Sequence, residues 1–180
     1  FFSKNEVFKE NNVKMMGGAV CLLRINFTTI FYVIFMQNKA VSNGAAILIS
    51  QSDHISMIYC KILNNSEPIK GGALSISRFR TFFCSRIFFI KNAAKLEGGA
   101  IYATHGIELE IWNSTFYDNT VLHYGGGLYI TTVEYIKNIN TSFISNKSWG
   151  KPLKKVGKKP KAVQKAGGGL EISHYGTFYT

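Results

Sequence analysis

G-G-A-L-S-I-S-R-F-R-T-F-F-C-S-R-I-F-F-I-K-N, Gly71 to Asn92, is followed past a short spacer by G-G-A-I-Y-A-T-H-G-I-E-L-E-I-W-N-S-T-F-Y-D-N, Gly98 to Asn119. Both stretches open on G-G-A and close on F-x-x-N, and the step from Gly71 to Gly98 equals the step from Asn92 to Asn119. That 27-residue spacing extends in both directions. Gly17, Gly44, Gly71, Gly98 and Gly125 keep it, and so do Asn38, Asn65, Asn92, Asn119 and Asn146. A fixed period of this length is the mark of a repeat architecture.

The letters after each glycine pair identify the repeat. Val20, Ile47, Leu74, Ile101, Leu128 and Leu170 form one apolar column. Leu22, Ile49, Ile76, Ala103, Ile130 and Ile172 form a second, two residues on. The column between them is mixed. That is period two, which belongs to strands; a helix would repeat at i, i+3, i+4 and i+7. Further apolar columns run through Ile55, Phe82, Leu109 and Ile136, and through Val33, Cys60 and Ile87. Three short strands with turns fit one period. One such unit cannot bury its own apolar face, so the units must stack.

Stacked rungs of this kind make an all-β fold, a single-stranded right-handed parallel β-helix of about six rungs. It fills residues 1–180 as one domain and reads as a fragment of a longer chain. Each column then becomes a ladder along the axis. Phe35, Phe89, Phe116 and Phe143, with Ile62 among them, form an apolar stack. Asn38, Asn65, Asn92, Asn119 and Asn146 form an amide ladder that can bond from rung to rung and to the adjoining turn. Gly71, Gly98 and Gly125 supply the positive φ of a tight corner. The residues Met36, Leu63, Ile90, Tyr117 and Ile144 follow the Phe column directly. Alternation directs them outward, whereas a turn would tuck them in, and the sequence leaves both readings open.

Two interruptions are expected. Phe2 to Asn5 reads as the first F-x-x-N, which makes the stretch from Asn5 to Gly17 twice as long as its later equivalent from Asn38 to Gly44. The stretch from Asn146 to Gly167 is longer still. That second insertion, residues 151–166, is a basic loop within the domain, with Lys151, Lys154, Lys155, Lys158, Lys159, Lys161 and Lys165 and no acid. Like charges and two prolines oppose packing there. It reads as a solvated, tolerated insertion or as an electrostatic contact for anionic glycans, lipid headgroups or nucleic acid.

The balance of 21 basic against 10 acidic residues gives a net charge of +11. An apolar fraction of 46% excludes a disordered chain, and three cysteines exclude a disulfide-dense scaffold. From Ile25 to Asn38 there is no charge, but the run is shorter than the ~20 residues of a membrane-spanning helix and rich in β-formers. Phe1 to Asn5 does not read as the start of a secretory leader.

Catalytic chemistry finds little material. Asp53 and Asp118 fall in different rungs and columns. Glu108 and Glu110 are the one close acidic pair; flanking Leu109, both should face outward. His54, His105, His123 and His174 match no zinc spacing. No cofactor and no metal site are expected. Cys60 and Cys84 lie in apolar columns and read as buried thiols, with one inter-rung disulfide left open. Five N-x-[S/T] sequons occur, at Asn26, Asn64, Asn113, Asn140 and Asn146, the last also a ladder residue.

The G-G-A-[I/L/V] and F-x-x-N motifs, in phase over nearly the whole chain, resemble the repeats of the chlamydial polymorphic outer membrane proteins. They are also similar to right-handed β-helices of the pectin-lyase-like superfamily. The first resemblance implies a non-enzymatic, extracellular or cell-surface adhesin or passenger-like stalk, in the outer membrane if the source is bacterial. Membrane attachment would come through regions outside this fragment. The implied partners are anionic glycans or another cell-surface protein, with no specific nucleic acid. The competing expectation is a pectin-lyase-type carbohydrate-active enzyme or carbohydrate-binding domain.

Overall fold

A computed structural model describes residues 1–149 and 168–179. These residues form strands and turns, and every strand pairing is parallel. Up to Leu128–Ile139 each pairing joins residues one 27-residue period apart, as in Leu74 with Ile101 and Phe89 with Phe116; the last joins Leu128 to Leu170, across the longer stretch between Asn146 and Gly167. The chain is a parallel β-solenoid of about five turns.

Two sheets run the length of it. The larger contains Ile47–Ile58, Leu74–Ser85, Ile101–Trp112, Leu128–Ile139 and Leu170–Tyr179. Below them Val20–Leu23 and Phe27–Phe31 together occupy one level, and Phe2–Lys4 pairs with Phe27–Phe31. The smaller sheet stacks the triplets Val7–Lys9, Ile34–Met36, Lys61–Leu63, Phe88–Ile90, Thr115–Tyr117 and Ser142–Ile144.

The three short strands expected from the sequence therefore appear as two arms of one long strand plus a triplet. The arms meet at a left-handed residue, with φ between 54° and 58° at Arg24, Gln51, Arg78, His105 and Thr132. That residue drops out of the pairing, for Ser77 pairs with Thr104 and Phe79 with Gly106, but Arg78 with nothing. Left-handed φ recurs after the long strand (Tyr32, Tyr59, Arg86, Asn113, Asn140) and after the triplet (Gln37, Asn64, Lys91, Asp118, Ser145). Non-glycine residues tolerate these corners. Glycine is required at the remaining one: a Cβ on Gly71, φ +67°, would lie 2.3 Å from the Leu74 carbonyl oxygen, and one on Gly72 would lie 1.9 Å from that of Gly99.

Inward letters fill the interior. In one rung these are Leu74, Ile76, Phe79, Phe82, Cys84, Ile87 and Phe89, all buried. Rings in the Phe column stack, with centroids 4.6 Å apart for Phe89 and Phe116 and 4.7 Å for Phe116 and Phe143. Full burial of each such side chain contributes about 1.5–3 kcal/mol.

The first rung departs from expectation. Phe2 pairs with Thr29 in the larger sheet and is exposed, so Phe2 to Asn5 is not the repeat's F-x-x-N. Phe8 to Asn11 is: Phe8 pairs with Phe35 and stacks on it at 5.0 Å, and Asn11 donates to Asn38 Oδ1. Asn11 stands before Gly17 just as Asn38 stands before Gly44, so the supposed first insertion does not exist. The duplicate motif at Phe2 occupies the preceding arm and imitates the spacing.

The uncharged run from Ile25 to Asn38 is spent on Phe27–Phe31, the triplet Ile34–Met36 and the corners between them. Among the described residues no helix is long and apolar enough to cross a membrane.

Candidate functional site

The motif letters themselves are interior. Asn38, Asn65, Asn92 and Asn119 have no exposure, and Asn146 is partly buried one level further on. At each step the backbone and side-chain nitrogens of one Asn donate to Oδ1 of the next. For Asn65 onto Asn92 these bonds are 3.1 and 3.0 Å. The next Asn then returns its other amide hydrogen to the carbonyl three residues before the first, as Asn92 does to Ile62 at 2.8 Å. Every polar atom of a ladder amide is used, so the ladder holds the corner and presents nothing to a partner. Phe35, Phe89 and Phe116 are also fully buried. Gly71, Gly98 and Gly125 lie buried at the corner, each with left-handed φ.

The letters between Phe and Asn face out. The first of the two is apolar in rung after rung: Met36, Leu63 and Ile90 are half-buried, Tyr117 and Ile144 exposed. The open reading of this column is thus decided by the triplet: its middle residue points in, so its third points out. The second letter sits at the left-handed corner, where Gln37, Asn64, Lys91 and Ser145 are exposed and Asp118 is half-buried. The opposite corner carries an aromatic ridge. Tyr32 stacks on Tyr59 at 4.7 Å, and the Arg86 guanidinium lies 5.0 Å over the Tyr59 ring and donates to its hydroxyl.

The outer face of the larger sheet is ionic. Asp53 meets Arg80 at 3.5 Å, and Lys137 meets Glu110 at 3.1 Å. Glu108 and Glu110 flank the fully buried Leu109 and are half-exposed. Partial burial works to raise the Glu110 pKa. The hydrogen bonds from Lys137 and from Trp112 Nε1 outweigh it and hold the carboxyl below its ordinary range. An ion pair and an aromatic cluster line the turn before the long strand. Lys70 pairs with Glu97 at 2.7 Å and lies 4.6 Å over Tyr102, which stacks with Tyr129. Burial raises the Tyr129 pKa, and the charges of Glu97 and Glu171 add to it.

One notch of about 500 Å³ opens on the larger sheet, rimmed by His105, Thr132 and Glu134 over Gly106, Phe79 and Val133. Its floor has a specific cause. The Phe79 ring leans across the next rung into the space a side chain at Gly106 would take, so an added Cβ would sit 2.2 Å from Phe79 Cζ. Sequence reading passed over this pair, and over Phe8 and Asn11. The signal was present in each case, as an in-phase column entry.

Among the described side chains, His54 and His105 are exposed and His123 is half-buried. Among the described residues no three His, Cys, Asp or Glu side chains converge as a metal site would need. Cys60 and Cys84 are buried, Cys21 is exposed, and all three are free thiols, so the disulfide left open by the sequence is not formed. Asn26, Asn64, Asn113 and Asn140 are exposed sequon residues, while Asn146 is engaged in the ladder. Lys151, Lys154, Lys155, Lys158, Lys159, Lys161 and Lys165 lie outside the described residues.

Comparison with known proteins gave one finding. Residues 86–104 match the model of the Chlamydia polymorphic membrane protein (Chlamydia_PMP) repeat. The matched stretch runs from the corner after one long strand, through the Phe89 triplet, Asn92 and Gly98, into the next long strand. With the parallel stacking, the match fits a Pmp-type β-helix repeat. No curated protein and no solved structure matched the chain.

Proposed function

We propose that this chain is a non-enzymatic, surface-exposed β-helix stalk that serves adhesion or scaffolding. The observation that carries it is the Pmp-type repeat match over residues 86–104, set in a solenoid that keeps the same register in its neighbouring rungs. The repeat points to an extracellular or cell-surface location, the outer membrane if the source is bacterial. Its motif letters are spent inside the solenoid, so recognition falls to the variable outward letters. The partner classes are anionic glycans, met by the lysines of residues 151–165, or another cell-surface protein.

The electrostatics of the acidic pair support this reading over a carbohydrate-active enzyme. A general acid needs a raised pKa. Glu110 is shifted the other way and is tied to Lys137 and Trp112. The test has two arms. Incubation with polygalacturonate and calcium should release no unsaturated or reducing ends, and their appearance would overturn the assignment. Labelled chain should bind heparin and glycan-bearing cells. Deleting Lys151 to Lys165 lowers the net charge from +11 by seven, to +4. The deletion should shift heparin elution to markedly lower salt, and unchanged retention would remove the lysines from the reading.

A further inference from the structure

We propose that the corner after the triplet, over the first three rungs, holds a site for an uncharged sugar residue. The inference goes beyond the adhesive reading and uses none of the lysines of residues 151–165. A furrow of about 460 Å³ opens there, lined by Glu10, Asn12, Gln37, Lys39 and Asn64, all exposed. That volume lies within the range of about 300–1,000 Å³ typical of small-ligand sites. Its origin is the repeat itself. Glu10, Gln37 and Asn64 occupy the left-handed corner in successive rungs, with φ of 56°, 56° and 54°. Asn12 and Lys39, two residues beyond Glu10 and Gln37, pair with each other on neighbouring strands. Between the two columns run the ladder residues Asn11, Asn38 and Asn65, which bond to one another. The outward letters on either side of the ladder are thus the two walls of the furrow.

Three features select the ligand. The side-chain amides of Asn12, Gln37 and Asn64 converge here, and none of the three has a hydrogen-bond partner among the described residues. An amide carries both donors and an acceptor, and so does a hydroxyl group. Neighbouring hydroxyls on one ring therefore use both halves of an amide, whereas a bare anion or cation uses only one. The charges at the rim cancel. Lys9 pairs with Glu10 at 3.0 Å and Lys39 with Glu67 at 2.6 Å, so the furrow offers no unpaired charge to an ionic ligand. Its length is short. Three levels at ~4.8 Å span about 10 Å, which is room for about three residues of extended peptide. Further along the same corner the Lys147–Asp118 pair, at 3.7 Å, joins the two columns and closes the furrow. A compact ring with several hydroxyls fits these limits; a charged glycan or a long peptide does not.

Saturation-transfer NMR of the whole chain tests it. The chain is made in bacteria, so that the sequon at Asn64 stays unmodified. The probes are lactose, maltose, cellobiose and N,N′-diacetylchitobiose. At least one should receive saturation from the protein and titrate to a single Kd. Asn64→Gly and Gln37→Gly remove one amide each and suit the left-handed corner, so both should keep the parent's circular dichroism spectrum. Each should raise that Kd about two- to tenfold, the loss that goes with a neutral hydrogen bond. Ser145→Gly, at the same corner further along, should leave it as in the parent, and so should deletion of Lys151 to Lys165. Heparin retention should respond to that deletion and not to Asn64→Gly, so the sugar site and the lysine contact stand or fall separately. Silence from all of these disaccharides overturns the proposal. So does a Kd unmoved by Asn64→Gly and Gln37→Gly, or one lost with the lysines. A blocked alanine tripeptide that receives saturation in place of the sugars assigns the furrow to a peptide and overturns it too.

Discussion

Replacing Asn92 probes the ladder most directly. Its Oδ1 accepts from Asn65 N and Nδ2 at 3.1 and 3.0 Å, and its Nδ2 donates to Ile62 O at 2.8 Å and to Asn119 Oδ1 at 3.1 Å. In Asn92→Ala all four bonds go. Asn119 Oδ1 keeps the bond from the residue 92 backbone and the Ile62 carbonyl keeps its place in the parallel ladder with Phe88–Ile90, so two groups are left orphaned: the backbone and side-chain donors of Asn65. Each orphaned buried group costs about 1–3 kcal/mol, so with partial relaxation the loss is roughly 2–4 kcal/mol. Urea denaturation followed by circular dichroism reads it as a lower midpoint.

Asn92→Asp separates hydrogen bonding from volume. Its carboxylate still accepts from Asn65 but turns an oxygen toward the Ile62 carbonyl and Asn119 Oδ1, which cannot donate. The ionised form is disfavoured in the fold, so the folded pKa rises above the unfolded value of about 3.9. Between those two pKa values the folded state binds more protons, and stability falls as pH rises. The variant should therefore lie nearest the parent at low pH and diverge from it as pH climbs past the unfolded value. A cost below about 1 kcal/mol for Asn92→Ala would refute the reasoning, as would a gap between Asn92→Asp and the parent that ignores pH.

Other perturbations probe the packing. Gly106→Ala should destabilise by about 1–3 kcal/mol, because the new methyl meets the Phe79 ring. Adding Phe79→Leu should recover part of that in a double-mutant cycle, whereas strict additivity would show that the two do not touch. Thr28 is buried in the column of Ile55 and Phe82, and its hydroxyl finds no hydrogen-bond partner. Thr28→Val should thus raise the thermal midpoint, by an amount near ~1 kcal/mol in stability, and a fall would show that the hydroxyl is satisfied. Burial pushes the Cys60 and Cys84 thiols up, so an aromatic disulfide reagent should titrate Cys21 in the native chain and all three cysteines in denaturant. Rapid native reaction of Cys84 would contradict its place in the interior.

The fold was legible because one rule acts identically in every rung. Period two fixes which letters point in, and the repeat register fixes what each one meets, so Phe89 could be set against Phe116 from the sequence alone. The first rung was misread because the chain offers F-x-x-N twice between Phe2 and Asn11, and only the distance to Phe35 separates Phe8 from Phe2. The bends were not legible. Tyr59, Arg78, Lys91 and Thr132 share left-handed φ but no residue type, because a stacked rung imposes the conformation through pairing on either side rather than through local preference. A β-branched Thr132 at 57° states the point most sharply, since its own sterics oppose what its neighbours enforce.

The same logic limits what the motifs say about function. Residues that repeat do so because each must match its equivalent above and below, and that demand ends at the interior. Ile90, Lys91 and Arg86 face out, where stacking sets their spacing but not their chemistry. On the proposed adhesive reading, a partner would meet those letters. At the corner after the triplet their identities vary from rung to rung (Gln37, Asn64, Lys91, Asp118, Ser145), because no packing demand requires neighbours to agree there. Exchanging outward letters between rungs should therefore alter binding while leaving stability nearly unchanged. Exchanging Phe89 or Asn92 with an outward neighbour should do the reverse, by turning a buried column inside out.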